Sequence, residues 1–159
     1  MSEQMPVTKK GMTLIQNELD HLIKVEREDL KRVIADARAL GDLKENAEYH
    51  SAKEKQSYIE GRIIQLQTVI TKAVVIDVAS VKSDKVVFGA TVTLIDINGA
   101  KVIYKIVGSD ESDMKKGKIS FSSPLGKALI GKQTGDTVIV KAPKGDIQYE
   151  VSDFAFCED

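Results

Sequence analysis

The sequence predicts an α+β chain in two parts. Residues 1–78 read as an N-terminal antiparallel two-helix coiled coil, and residues 79–159 as a small antiparallel-sheet domain with one short helix. Three observations carry this. No proline lies between Pro6 and Pro124, and residues 1–80 hold only Gly11, Gly41 and Gly61, whereas the other glycines begin at Gly89. Long helices avoid such breakers and strand turns need them. Apolar residues recur at steps of three and four in the first part, but fall in short β-rich runs in the second. Finally, Asn98-Gly99 is the strongest hairpin signal in the chain.

Thr8 is the expected N-cap of the first helix. That helix is predicted over residues 8–40, roughly 50 Å at about 1.5 Å per residue. Its seam reads Ile15, Leu19 and Leu22, then Leu30, Val33, Ala37 and Leu40, a stripe as narrow as that of a coiled coil. On its outer face Asp20 precedes Lys24, and Glu28 precedes Arg32, in the favourable i,i+4 order. Gly41 supplies the left-handed residue that ends it, and Asn46 caps the second helix. The second helix, over residues 46–74, carries the seam Ile59, Ile63, Leu66, Ile70 and Ala73.

Two helices with facing seams and a short connection fold back antiparallel. The segment Gly41-Asp42-Leu43-Lys44-Glu45-Asn46 becomes the tip of the hairpin. Gly61 costs about 1 kcal/mol against alanine in a helix interior, which implies a close crossing or a slight bend there. In the second part, strands are expected at 86–88, 90–97, 102–107, 119–121, 137–141 and 148–156. Ser123 as N-cap, Pro124 as first helical residue and Gly131 as the stop define the short helix.

Composition removes several classes of function. With 23 basic and 24 acidic residues the net charge is -1, so general nucleic-acid binding through phosphate neutralisation is excluded and any polymer contact is local. No apolar run approaches the roughly 18 residues of a membrane helix, and no basic-then-apolar leader opens the chain. A single cysteine, Cys157, allows no disulfide framework and no cysteine metal site. The two histidines, His21 and His50, are too few for a histidine-rich site, and both read as exposed helix residues without a role. A cytoplasmic protein is expected.

The informative stretch is the tip. Asp42 and Glu45, three residues apart, project to the same side of a tight or helical turn. Two such carboxylates can share a hard cation such as Mg²⁺, which usually takes one or two protein carboxylates and completes its shell with water or a partner's ligands. Acids at a helix start also serve as caps and dipole partners, and for most Asp-x-x-Glu pairs that account suffices. Here the pair stands at the end of a charged rod where nothing else needs it. Two carboxylates alone hold Mg²⁺ weakly, which points to catalysis in trans.

Four separated motifs then carry a resemblance over nearly the whole chain. They are Gly41-Asp42-Leu43-Lys44-Glu45-Asn46-Ala47-Glu48-Tyr49; Glu60-Gly61-Arg62-Ile63; Phe88-Gly89-Ala90-Thr91-Val92; and Ser123-Pro124 with Ala128-Leu129-Ile130-Gly131-Lys132. In this order they resemble the bacterial Gre transcript-cleavage factors, and the tip and the mixed charge of the second helix are closer to the GreA branch than to GreB. The resemblance implies a C-terminal domain similar to FK506-binding proteins. It implies a partner, bacterial RNA polymerase, whose secondary-channel rim receives that domain while the coiled coil reaches the active site. Asp42 and Glu45 would there help hold a shared Mg²⁺ and position a water, so that the polymerase itself cuts the 3′ end of backtracked RNA. The protein would then be no enzyme alone, but a stimulator acting as a monomer, with no membrane partner.

By the same resemblance Arg38 and Lys53 form a basic patch for nascent RNA; Lys44 and Tyr49 stand where they can add to that surface, and packing of Tyr49 on the first helix is the equal alternative. Lys53 stands where a relative can carry arginine, which keeps the charge and loses the planar fork. Lys55 and Arg62 read better as members of an ion-paired face. Ser122, Ser123, Pro124 and Leu125 match the region that grips the polymerase rim, although a capped helix start alone explains Ser123 and Pro124. Ser122 also departs from the acid found in some relatives. Rival readings are a same-scaffold regulator without cleavage activity, an FKBP-like peptidyl-prolyl isomerase and a dimeric coiled-coil adapter. The isomerase needs an aromatic-lined pocket, and the chain has four phenylalanines, four tyrosines and no tryptophan.

Overall fold

The computed structural model describes residues 4–158. It divides into two compact units: Thr13–Lys72, and a second unit made of the described residues before 13 together with those from Ala73 onward. The expected division at residue 78 did not separate the first residues from the hairpin. Strand β1 (Met5–Thr8) lies parallel to β2 (Ala73–Ile76), with Met5 opposite Ala73 and Thr8 opposite Ile76. Ala73 and Val74 were expected to end the second helix, but the run Ala73-Val74-Val75-Ile76 is rich in β-branched residues that favour the extended form once a partner strand is present. Among the described residues no helix is long and apolar enough to cross a membrane.

The first predicted helix is observed in three stretches. Helix α1 (Lys9–His21) runs into a π-helical turn over Leu22–Glu26, and α2 (Arg27–Ala39) continues from it. Helix α3 (Ala47–Lys72) is the return limb. The buried seam is Ile15, Leu22, Leu30, Ile34 and Ala37 on the first limb, with Ala52, Ile59, Ile63, Leu66 and Val69 on the second. Val33 and Leu40, expected in the seam, are 50% and 70% exposed.

The π turn is the reason. A heptad continued from Ile15 and Leu22 would fall on positions 29, 33 and 36. One extra residue in the i→i+5 turn moves every later seam position on by one, to 30, 34 and 37. On α3, Val69 takes the buried place expected of Ile70, and Ala73 belongs to β2.

Two bidentate ion pairs join the limbs. Arg27 donates from Nε and Nη2 to Glu60 at 2.9 and 2.8 Å, and Arg62 donates from the same two nitrogens to Glu18 at 2.8 and 2.9 Å. The Arg62 hydrogen bonds hold the Glu18 carboxyl below its ordinary range. Lys24 bonds Asp20 at 3.2 Å as expected, but Glu28 takes Lys31 and Arg32 takes Asp29, both at i,i+3. No neighbour approaches within 4 Å of where a Cβ on Gly61 would lie, so the close crossing expected there does not occur.

The second unit is built on five strands in the order β5-β4-β3-β7-β6. They are β3 (Ala90–Asp96), β4 (Lys101–Val107), β5 (Lys118–Ser120), β6 (Thr137–Ala142) and β7 (Gly145–Phe156). The sheet is mixed rather than antiparallel throughout, because β5 lies parallel to β4. Between these two strands the chain passes through short 3₁₀ turns at Ser109–Glu111 and Met114–Lys116 and comes back in the same direction, instead of folding over in a tight hairpin. Residues 86–88 are not a strand, although Val86 is fully buried and hydrogen-bonds Gly131 and Lys132. Strand β7 begins earlier than expected because Gly145, at φ +123°, closes a second hairpin against Ala142.

Inward alternation of Val92, Leu94, Ile106, Val138 and Val151 forms the core, which Leu129 of α4 (Pro124–Leu129) covers. Ser123 caps α4 by accepting from the Gly126 N–H at 3.1 Å, and Gly131 follows at φ +91°. Thr8 is the N-cap of α1, its Oγ1 accepting from Gly11 N–H at 2.9 Å. The same hydroxyl donates to the Glu111 carboxylate, and Lys118 Nζ lies 3.5 Å from the other Glu111 oxygen.

Candidate functional site

The tip lies within the seven residues, 40–46, that join α2 to α3, and its geometry follows from how each helix end is closed. Helix α2 stops because Gly41 turns to φ +110°, with its N–H on the Arg38 carbonyl at 3.2 Å. Helix α3 starts because Asn46 Oδ1 accepts from Tyr49 N–H at 3.0 Å. The Asn46 amide does a second job: its Nδ2 donates to the Ala37 carbonyl at 2.5 Å, tying the end of one helix to the start of the next.

Within this clasp Asp42 and Glu45 are both exposed. Asp42 Oδ1 accepts from Lys44 N–H at 3.0 Å, an Asx turn that leaves Oδ2 without a hydrogen-bond partner among the described residues. The Glu45 side chain is turned to solvent. Among the described residues no group of three or more Asp, Glu, His or Cys side chains gathers. The chain thus offers a partial shell of hard oxygen donors. That suits a cation whose other ligands are water or groups of another molecule.

Of the basic and aromatic residues expected beside the tip, the structure unites two. The Arg38 guanidinium lies over the Tyr49 ring, 5.8 Å from its centroid, a cation–π contact across the two limbs. Tyr49 is half-buried and serves as a support for Arg38. Lys53 is exposed and donates to Gln56 on its own helix at 2.8 Å, and Lys44 is exposed in the loop. Arg62 is committed to Glu18, in line with its reading as a member of an ion-paired face.

Sequence reasoning missed His50. Its Nε2 lies 3.0 Å from the Lys44 carbonyl, reaching back from the first turn of α3 over the tip, and its ring meets Tyr49 edge-on at 5.7 Å. The i to i+6 spacing across a loop-to-helix junction belongs to no regular pattern, so nothing in the sequence announces it.

The second candidate set lies in the other unit. Ser122 and Pro124 are exposed, Ser123 and Leu125 half-buried. Ser109, Ser120 and Ser122 share hydroxyl contacts of 2.8 to 3.4 Å, which stiffen this loop. Ser123, Pro124 and Leu125 line an apolar groove of about 530 Å³ together with Met114, Val140 and Pro143. Gly126 permits the tight join, since a Cβ there would collide with the Ser120 carbonyl oxygen.

Comparison with known proteins is consistent across the chain. The family described as transcription elongation factor, N-terminal, matches residues 5–75, and that described as transcription elongation factor, GreA/GreB, C-term, matches residues 81–156. The transcription elongation factor GreA of Anaeromyxobacter sp. (strain K) is 52% identical over 158 residues, covering 99% of this chain and 95% of its own. The protein of the same name from Thermodesulfovibrio yellowstonii is 50% identical over 157 residues, covering 98% and 99%. Among solved structures, the GreA factor homolog 1 protein of Thermus thermophilus aligns over 96% of this chain and 99% of that one, at 24% identity and a TM-score of 0.45.

Proposed function

The chain belongs to the GreA/GreB family of transcription elongation factors, and from that premise we propose that its hairpin tip completes the active site of a stalled RNA polymerase. The factor docks through Ser122, Ser123, Pro124 and Leu125 at the rim of the secondary channel of bacterial RNA polymerase. The hairpin enters the channel, and the polymerase then cleaves backtracked RNA near its 3′ end. Acting in the cytoplasm as a monomer, the factor performs no chemistry alone; it stimulates a nuclease that belongs to its partner.

The observation that carries this reading is the pair of exposed acids, Asp42 and Glu45, on a loop tied at both helix ends. Asp42 and Glu45 would hold a Mg²⁺ shared with the polymerase, which when bound would supply Lewis-acid stabilisation for phosphodiester hydrolysis. Asp42 would contribute the oxygen that the Lys44 N–H leaves free. Glu45, turned to solvent, contributes a ligand or orients the water that attacks. Arg38, braced on Tyr49, and Lys53 and Lys44 offer charge to the phosphates of the extruded RNA.

The test is a purified backtracked elongation complex with Mg²⁺. The Asp42→Ala/Glu45→Ala protein keeps its circular dichroism melt and its binding to polymerase, and stimulated cleavage falls roughly a hundredfold or more. Undiminished RNA shortening by that protein overturns the assignment. An isomerase would instead be revealed by turnover of a proline peptide, and an adapter by a stable dimer in sedimentation.

A further inference from the structure

We infer that His50 is a positioning residue for the tip acids, holding the Lys44–Glu45 peptide so that Glu45 leaves the loop in one direction. The contact is the 3.0 Å approach of its Nε2 to the Lys44 carbonyl oxygen. A carbonyl only accepts, so Nε2 carries the proton. The peptide unit is planar, and the oxygen of Lys44, the nitrogen of Glu45 and the Glu45 Cα lie in one plane. Pinning that oxygen pins the Cα from which the Glu45 side chain starts.

Lys44 is held from both sides. Its N–H donates to Asp42 at 3.0 Å and its carbonyl accepts from His50, so one residue couples the two acids. The imidazole is itself oriented, by the edge-on Tyr49 ring whose other partner is Arg38. Without His50 the Lys44 carbonyl turns to water and the peptide plane is free to rotate. The remaining ties, Asn46 to Ala37 and to Tyr49, close the helix ends but do not touch the Lys44–Glu45 peptide.

This inference rests on the roles proposed above for Asp42 and Glu45. A misplacement of reacting groups by about 1 Å can cost on the order of a hundredfold in rate, and loss of one tether allows part of that. In the cleavage assay, titrated with factor, His50→Ala lowers the maximal rate about tenfold and leaves the half-saturating concentration unchanged. His50→Gln, whose amide N–H can reach the same carbonyl, restores most of the rate, whereas His50→Phe, which keeps only the ring contact, does not. In the free protein, ¹⁵N shifts of the imidazole report a proton on Nε2.

Wild-type rates for His50→Ala beside an inactive Asp42→Ala/Glu45→Ala protein overturn the inference and leave the reading of the acids standing. So do equal rescue by Phe and Gln, a loss seen only in half-saturation, or a proton on Nδ1. An active Asp42→Ala/Glu45→Ala protein overturns that reading, and the inference with it.

Discussion

Glu111 and the tip acids show how one functional group takes opposite tasks from its surroundings. The Glu111 side chain is 2% exposed and sits behind the N-cap of α1, where it accepts from Thr8 and faces Lys118. A carboxylate there satisfies a hydroxyl already engaged with a helix N–H, and it complements the positive end of the helix. Asp42 and Glu45 lie in the open and have coordinating oxygens to spare. Burial makes the first acid structural, and exposure keeps the others available. Glu111→Ala is therefore expected to destabilise the sheet unit by about 3 kcal/mol, and Glu111→Gln, which keeps an acceptor for Thr8, by about half of that. Urea midpoints measure both. Equal midpoints for Ala and wild type would show that the carboxylate does not matter. The cap at Thr8 was legible because capping is local. Its partner, 103 residues away, was not, because no pattern in a sequence links residues at that range. His50 escaped notice for a related reason, its contact spanning a loop of no fixed geometry.

At the scale of the element, the π turn separates what periodicity can give from what it cannot. Helical spacing placed both limbs, their caps and the tip within a few residues, since each signal repeats or lies beside a breaker. The seam after Leu22 was placed correctly at Leu30 and Ala37, one residue beyond a continued heptad, but Val33 was kept at the old heptad position, because a heptad template has no place for an inserted residue. Removing that residue should suit the template. Deleting Val25, which is exposed, lets the turn close as regular α-helix with the seam aligned on both sides. The melting temperature is expected to stay within a few degrees. Deleting Ser57 in α3, which has no such slack, swings Ile59, Ile63 and Leu66 away from their partners by about 100° and abolishes the cooperative melt. Similar melts for the two deletions would refute this account. A pH prediction belongs to the same hairpin. The Glu18 pKa is depressed by Arg62, so the pair stabilises at pH values above the ordinary carboxyl range and its contribution is lost as pH falls through the folded-state value. Glu18→Gln is expected to melt lower than the parent near neutral pH, with the gap closing below about pH 4.

For the molecule as a whole, the division into units decides which functions can be separated. The sequence indicated two parts, but the β1–β2 pairing, which returns the first strand to the sheet unit, brings together residues from opposite sides of the hairpin and has no local signature. The tip acids and the loop proposed to dock consequently belong to different compact units: Asp42 and Glu45 lie within Thr13–Lys72, and Ser122 and Pro124 beyond Ala73. Side chains in separate units with no shared partner act independently to first approximation. A protein carrying Asp42→Ala/Glu45→Ala should thus still occupy polymerase and exclude the active factor. Mixed at tenfold excess with wild type under saturating conditions, it is expected to lower cleavage to about a tenth, the share of polymerase left to the active form by mass action. Adding Ser122→Ala and Pro124→Ala, both at exposed positions, should remove this interference and return cleavage towards the wild-type level. If the double tip variant fails to interfere although it is folded, the acids contribute to docking as well as to chemistry. If the quadruple variant interferes undiminished, the grip on polymerase lies outside the loop before α4.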